Sequence, residues 1–262
     1  MSKMFNRVLS ACFLTILLSV QSAAYAGYRE SSSQRPPRTN TGSSGSRGGC
    51  SGIAQLPLTT LAPQKHIGQT VSSHPTFAWF VPDSPEIKME YLEQAVSPYP
   101  TLAWFLPVSP QYKTEFSLYE YSSNGTRNLI KKIELKSSPG INKLSLPKDT
   151  PGLTVGKTYL WQIAVICNEN YPSSDLVKKA EIEVVELPSN VKMSLDAVKN
   201  PLQRADIYAN AGLWYDALGE ALTADANSQS GKTVASLLEN LAQIENAEKS
   251  NDLRQIASTS PI

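Results

Sequence analysis

The side chains able to do chemistry are few. The chain holds two histidines, His66 and His74, each among the Ser, Pro, Gln or Gly residues that build turns. Imidazole is the commonest metal ligand and general base, yet no H-x-x-x-H pair, acidic metal cluster or EF-hand loop accompanies either one. No metal and no cofactor is therefore expected. The sequence also lacks a G-x-S-x-G elbow, a P-loop and a G-x-G-x-x-G fingerprint. A Ser-His-Asp hydrolase would have to be assembled around His66 or His74, and is the remotest functional reading. Glu181 and Glu183 stand two apart on one side of an alternating strand, which reads as a solvated face and not as an acid/base pair. No residue is assigned a catalytic role.

Two further groups invite a chemical reading. Trp79-Phe80 and Trp104-Phe105 could stack on sugar rings if displayed in a row, which is the carbohydrate-binding alternative. Adjacent strand residues point to opposite faces, so within each pair one ring belongs to the core and only the other could be shown to a ligand or an edge-strand partner. Of three cysteines, Cys12 falls in an apolar leader, which leaves Cys50 and Cys167. An even pair in an exported chain is a disulfide candidate, closing a loop from position 50 to position 167 that would contribute roughly 4 to 5 kcal/mol of chain entropy. Two reduced thiols, one in a strand and one on a tail, are the other reading.

Those aromatics belong to a repeat. Residues 71–95 and 96–120 align at a constant offset, Pro75-Thr76-Phe77-Ala78-Trp79-Phe80-Val81-Pro82 returning as Pro100-Thr101-Leu102-Ala103-Trp104-Phe105-Leu106-Pro107. Each copy is a short aromatic strand bracketed by prolines, which lack the ladder N–H, so an edge position is expected. Only the second copy runs straight into Phe116-Ser117-Leu118, so Thr101 to Leu106 is expected in the sheet. The first copy would then be spare: an extra edge strand, a competitor for the same slot, or a means of self-association by strand exchange.

The elements that would carry these residues alternate with turns. Thr158 to Cys167 is apolar on both faces, which predicts a central strand with Trp161 buried. Ala180 to Val184 alternates cleanly, as a strand with one wet face does. Phe116–Tyr121 and Leu129–Leu135 flank Ser123-Asn124-Gly125, a hairpin signal. Together they predict an immunoglobulin-like or fibronectin-like β-sandwich over residues 56–190. The period then lengthens. Asn200-Pro201 is an N-cap and first-turn pair, and Trp214, Ala217, Leu218, Ala221 and Leu222 line one helical face. Helices are expected near 201–211, 213–224 and 232–247, within a helical segment 191–250 followed by a tail 251–262. Gly212 would allow a tight turn of tetratricopeptide type, a TPR-like hairpin that packs on the sandwich or on a partner because one unit cannot form a solenoid. The fold class is thus α+β, mainly β.

At the amino end, Lys3 and Arg7 precede an uncharged run from Val8 to Val20, and Ala24-Tyr25-Ala26 supplies a small-x-small site. Residues 1–26 read as a signal peptide cleaved before Gly27, too short for a comfortable span. An uncleaved anchor stays open, and so does a lipoprotein box at Leu9-Ser10-Ala11-Cys12. Residues 27–55 are rich in Ser, Gly, Arg and Pro and are expected to be a disordered leader. The signal takes two bases and no acid from a chain of 24 basic and 23 acidic residues. The mature protein is nearly neutral, which disfavours nucleic acid or anionic lipid as a general electrostatic partner.

An ordered series of motifs resembles a known family. It comprises Arg47 to Cys50, Pro100 to Pro107, Phe116-Ser117-Leu118, Ser138-Pro139-Gly140-Ile141, Leu144 to Pro147, Gly156 to Trp161, Cys167-Asn168 and Gly212 to Leu218. The chain is similar over about Cys50 to Ile244 to the cyanobacterial exported proteins grouped as domain of unknown function 928 (DUF928), and departs from them at the first repeat copy. The resemblance implies an extracytoplasmic place, in the periplasm, secreted or at the cell surface, and supplies no activity. The expectation is a non-enzymatic envelope protein, without an integral membrane segment after cleavage, whose partner is an unknown envelope protein or polysaccharide.

Overall fold

The computed structural model describes residues 27–39, 56–82, 111–167, 170–224 and 228–259. In these residues eight strands precede five helices. The strands are β1 (Thr59–Thr60), β2 (Gly68–Thr70), β3 (Thr76–Val81), β4 (Tyr112–Tyr121), β5 (Arg127–Ser137), β6 (Gly140–Ser145), β7 (Thr158–Val165) and β8 (Leu176–Val184). The helices are α1 (Ser189–Asp196), α2 (Pro201–Asn210), α3 (Trp214–Thr223), α4 (Ser228–Ile244) and α5 (Ala247–Thr259).

The strands form a mixed α+β architecture with two sheets, ordered β1-β3-β6 and β2-β8-β7-β4-β5. Every pairing is antiparallel except that of β2 with β8, which is parallel and matches Gly68 with Ile182 and Thr70 with Val184. β7 lies between β8 and β4, as its two apolar faces require: Tyr159, Trp161, Ile163 and Val165 point into the core, and Leu160 and Ala164 on the other side are also buried. β4 and β5 meet in the hairpin that Asn124-Gly125 marks, closed by Ser122 N to Thr126 O at 2.8 Å, with Gly125 at φ +82°.

One core serves sheets and helices alike. Phe77 of β3 stands 4.9 Å from the ring of Phe116 on β4, 5.3 Å from Trp161 on β7 and 5.9 Å from Tyr215 on α3. Tilted and edge-on contacts of this kind are the favoured aromatic geometry. α2 begins as expected, with the Asn200 side chain accepting from Leu202 N and Gln203 N and Pro201 in the first turn. It turns into α3 through Gly212 at φ +78°, where an added Cβ would lie 3.1 Å from the Arg29 carbonyl oxygen.

Several expectations are corrected. The first repeat copy is not a spare edge strand: Thr76–Val81 is β3, and it runs down the middle of the three-stranded sheet between β1 and β6. The bracketing prolines do not force it to an edge, because Pro75 and Pro82 lie just outside the paired residues and no ladder N–H is lost. The second copy, Thr101 to Leu106, lies outside the described residues. The leader is not disordered throughout, since residues 27–39 dock on the protein. Residues 251–259 of the expected tail are part of α5, whose Leu253 and Ile256 are buried, and α1 adds a helix anchored by Val191 and Leu195.

Gly68 makes a close approach. A Cβ there would fall 2.7 Å from the Tyr215 ring and 3.2 Å from Pro63. Gly68→Ala is therefore expected to destabilise by about 1 to 3 kcal/mol, the usual range for overpacking, which equilibrium denaturation with an unchanged m-value would register.

Candidate functional site

The polar and aromatic groups concentrate where the N-terminal segment meets the helical turn and the β2–β8 edge. Tyr28 is almost fully buried there; its ring packs edge-on to Trp214 at 4.8 Å and stacks toward His66 at 6.1 Å. Its hydroxyl lies 2.9 Å from His66 Nε2 and accepts from Gln34 Nε2 at 3.3 Å. Gln34 also donates to the Gly212 carbonyl at 3.0 Å, while Arg29 N donates to Ala209 O at 3.2 Å and Ile67 N to Arg35 O at 2.7 Å. The segment behaves as a strap whose backbone is bonded to the helical turn at one end and to the loop before β2 at the other.

Farther along, Glu181 of β8 ends the strap. Its carboxylate accepts from Arg38 N and Thr39 N, both at 3.0 Å, from Thr39 Oγ1 at 3.1 Å and from Tyr121 at 2.7 Å. Arg38 lies over the Tyr121 ring at 5.1 Å, and Arg35 pairs with Glu183. Burial, with the Glu181 charge beside it, pushes the Tyr121 hydroxyl up to about 12. Desolvation holds His66 below its ordinary value although Glu30 Oε2 stands 3.6 Å from Nδ1, and burial raises Tyr28. His66 Nδ1 is enclosed without a hydrogen-bond partner.

Three other ionisable groups tie layers together. Asp216, in the first turn of α3, accepts from Thr70 Oγ1 at 3.1 Å and Val71 N at 2.9 Å, and burial raises its carboxyl to about 7. Glu245 accepts from Gln64 N at 2.7 Å and is raised by desolvation. Lys249, 3% exposed, donates to the Thr60 carbonyl, and burial lowers its amine to about 7 against the pull of Glu245. The cavity beside Lys249 and Asp252 measures about 50 Å³, room for one or two waters. A wider groove of about 320 Å³ runs between α1 and α2 over Val191, Ile207 and Ala211, with Met193 exposed on α1. On α2, burial raises Asp206 to about 6, and its Oδ1 has no partner.

The residues singled out from sequence are dispersed by this arrangement. His66 is in the strap joint, and His74 bonds Ser73 Oγ and the Thr150 carbonyl in the β2–β3 loop. Trp79 is fully buried and donates to Ser137 Oγ at 3.3 Å, and Phe80 is buried as well. Both faces of β3 are thus covered, β3 displays no ring for a sugar, and alternation does not put one of the two outside. Trp161 and Trp214 are likewise buried. Trp104, Phe105 and Cys50 lie outside the described residues. Glu181 and Glu183 do not form a solvated face: Glu181 is 1% exposed because the strap covers it. Among the described residues no group of three or more His, Cys, Asp or Glu side chains could hold a metal, and no helix is long and apolar enough to cross a membrane. Sequence reasoning missed Tyr28, Asp216, Glu245 and Lys249, single polar or aromatic residues whose burial depends on partners far along the chain.

The fold and joint define a two-sheet protein closed by helices and by an N-terminal strap. It belongs to the family described as Domain of Unknown Function (DUF928), whose pattern matches residues 42–96 and 89–260. Each of the two overlapping matches contains one copy of the repeated unit. Comparison with curated proteins finds no match.

Two outcomes are expected. Tyr28→Ala removes a buried ring and its hydrogen bonds and should cost about 3 to 5 kcal/mol, seen as a lower denaturation midpoint and faster proteolysis at residues 27–39. Lys249 releases its proton more easily folded than unfolded, so it makes stability rise between pH 7 and about 10.4. Asp216, raised when folded, makes stability fall between about pH 4 and 7. The difference curve between wild type and Lys249→Met should therefore slope only in the upper window, and that for Asp216→Asn only in the lower, each by at most ~1.4 kcal/mol per pH unit. Denaturant titrations from pH 4 to 10 measure both.

Proposed function

We propose that this chain is a non-enzymatic, exported envelope protein that works as a protein-interaction module. The observation that carries the reading is the employment of the buried ionisable groups. His66, Asp216, Glu245 and Lys249 each hold one layer or segment to another, and the cavity beside Lys249 is too small for a metabolite. The α1–α2 groove, by contrast, lies open over Val191, Ile207 and Ala211, with Met193 exposed on the same helix as Val191. A partner presenting an apolar side chain suits it.

The reading includes three finer statements. The two sheets, joined through Phe77, Phe116 and Trp161, form an immunoglobulin-like or fibronectin-like sandwich, with α2 and α3 as its tetratricopeptide-type hairpin. The chain is exported in the manner of cyanobacterial envelope proteins and cleaved before Gly27. That site suits the fold, since Tyr28 and the rest of the strap remain in the mature protein. In the oxidising compartment Cys50 and Cys167 pair, stapling the segment after the strap to the end of β7.

Fractionated cells should yield an extracytoplasmic product beginning at Gly27, with an intact mass two hydrogens below that of the reduced form. A full-length cytosolic product refutes export, and an unchanged mass on reduction refutes the staple. A photo-crosslinking residue at position 193 should capture a defined envelope protein in living cells, while the same residue at exposed Leu129 on β5 should not. Equal labelling at both sites counts against a docking role for the groove.

A further inference from the structure

We propose that the seat of β3 accepts either copy of the repeat, so that the chain has two alternative threadings. The inference is independent of the functional reading above, and it begins with what the seat asks of its occupant. Pro75 O accepts from Leu146 N at 3.0 Å, Thr76 Oγ1 meets Ser145 Oγ at 2.9 Å, and Ala78 O accepts from Leu61 N at 2.9 Å. Ala78 is buried, and Trp79 reaches Ser137. At the corresponding positions the second copy carries Pro100, Thr101, Ala103, Trp104, Phe105 and Pro107. The backbone bonds do not depend on side chains, and each side-chain bond is made by an identical residue. Only two core positions change, Leu102 for Phe77 and Leu106 for Val81. Losing the three ring contacts of Phe77 makes the second copy the poorer occupant, so the described threading is the major one.

The likeness extends beyond the strand. Ile87-Lys88-Met89-Glu90-Tyr91 corresponds to Tyr112-Lys113-Thr114-Glu115-Phe116, the first half of β4. The described threading is therefore a hybrid, taking β3 from the first copy and β4 from the second. In the alternative, both strands come from the second copy, joined by residues 107–111. That link is comparable in length to the gap it must cross. Val81 pairs with Gly140 and Tyr112 pairs with Ser137, so the end of the β3 seat and the start of β4 are separated by two strand spacings and three residues, at most roughly 22 Å and less where the chain bends. Six peptide steps from 106 to 112 span up to about 21 Å. The two family matches overlap within the repeat, one ending at residue 96 and the other beginning at residue 89.

The test uses the full chain. A charge at the first copy, Phe77→Asp, should leave a cooperative thermal transition and a native near-ultraviolet spectrum, while protection of amides 101–106 from hydrogen exchange rises at least ~100-fold. Leu102→Asp alone should leave the transition unchanged, and the double variant should lose it. Deleting residues 76–100, which joins Pro75 directly to Thr101, should give a chain with the native spectrum. The proposal is overturned if Phe77→Asp unfolds the protein as fully as the double variant does, or if it stays folded with 101–106 unprotected. It is also overturned if Leu102→Asp alone unfolds the protein, or if the deletion chain fails to fold.

Discussion

Three consecutive residues at the start of α3 hold the molecule together, and the buried hydroxyl of Tyr215 is the centre of that hold. It accepts from Trp161 Nε1 at 2.8 Å and donates to the Glu181 carbonyl at 3.0 Å, so one atom joins α3 to β7 and β8. A buried indole N–H or hydroxyl without a partner costs on the order of 1 to 3 kcal/mol; both are satisfied only when the helix lies on the sheet in this register. The residues on either side act in other directions, because successive helical positions turn by about 100°. Trp214 donates to the Leu61 carbonyl at 2.9 Å and Asp216 takes the turn after β2. The glycine at 68 lets β2 pass the Tyr215 ring.

From that clamp the rest of the joint follows. α3 fixes the Gly212 turn, which gives Gln34 a carbonyl and leaves space for Arg29. The same helix puts the Trp214 ring where Tyr28 lands. Glu181 presents its carbonyl to the inner side of the sheet and its carboxylate to the strap, so a single strand residue is bonded on both faces. Each of these groups joins one element to another. Burial raises carboxyls and lowers an amine because desolvation outweighs the few hydrogen bonds on offer.

What was legible from the sequence is what local pattern controls. β7, the β4–β5 hairpin, the Asn200-Pro201 helix start and the α2–α3 turn were all readable, since each is signalled within ten residues or so by alternation, a turn pair or a cap. α1 and α5 were not, because Val191 with Leu195 and Leu253 with Ile256 are too few apolar residues to register as a periodic face. The repeat is visible, but its proximity to β4 does not reveal that Thr76–Val81 takes the place between β1 and β6. Glu181 seemed wet because alternation identifies the face opposite the core and says nothing of a distant segment laid across it. The strap itself was hidden by composition: Ser, Pro and Arg dominate it, and a lone Tyr28 supplies the apolar anchor.

The docking of Tyr28 ties an early-made segment to a seat made much later in the chain. His66 is available early, but Ala209, Gly212 and Trp214 emerge after some 180 further positions. Closure over such a separation adds little to the equilibrium cost, because the entropy grows only logarithmically with length, yet it makes for a high contact order and slow assembly. Until then the five-stranded sheet keeps an uncovered flank, with the Glu181 carboxylate lacking its backbone donors. The sequence about the strap, polar and poor in apolar residues, is what allows it to wait in water without joining another chain.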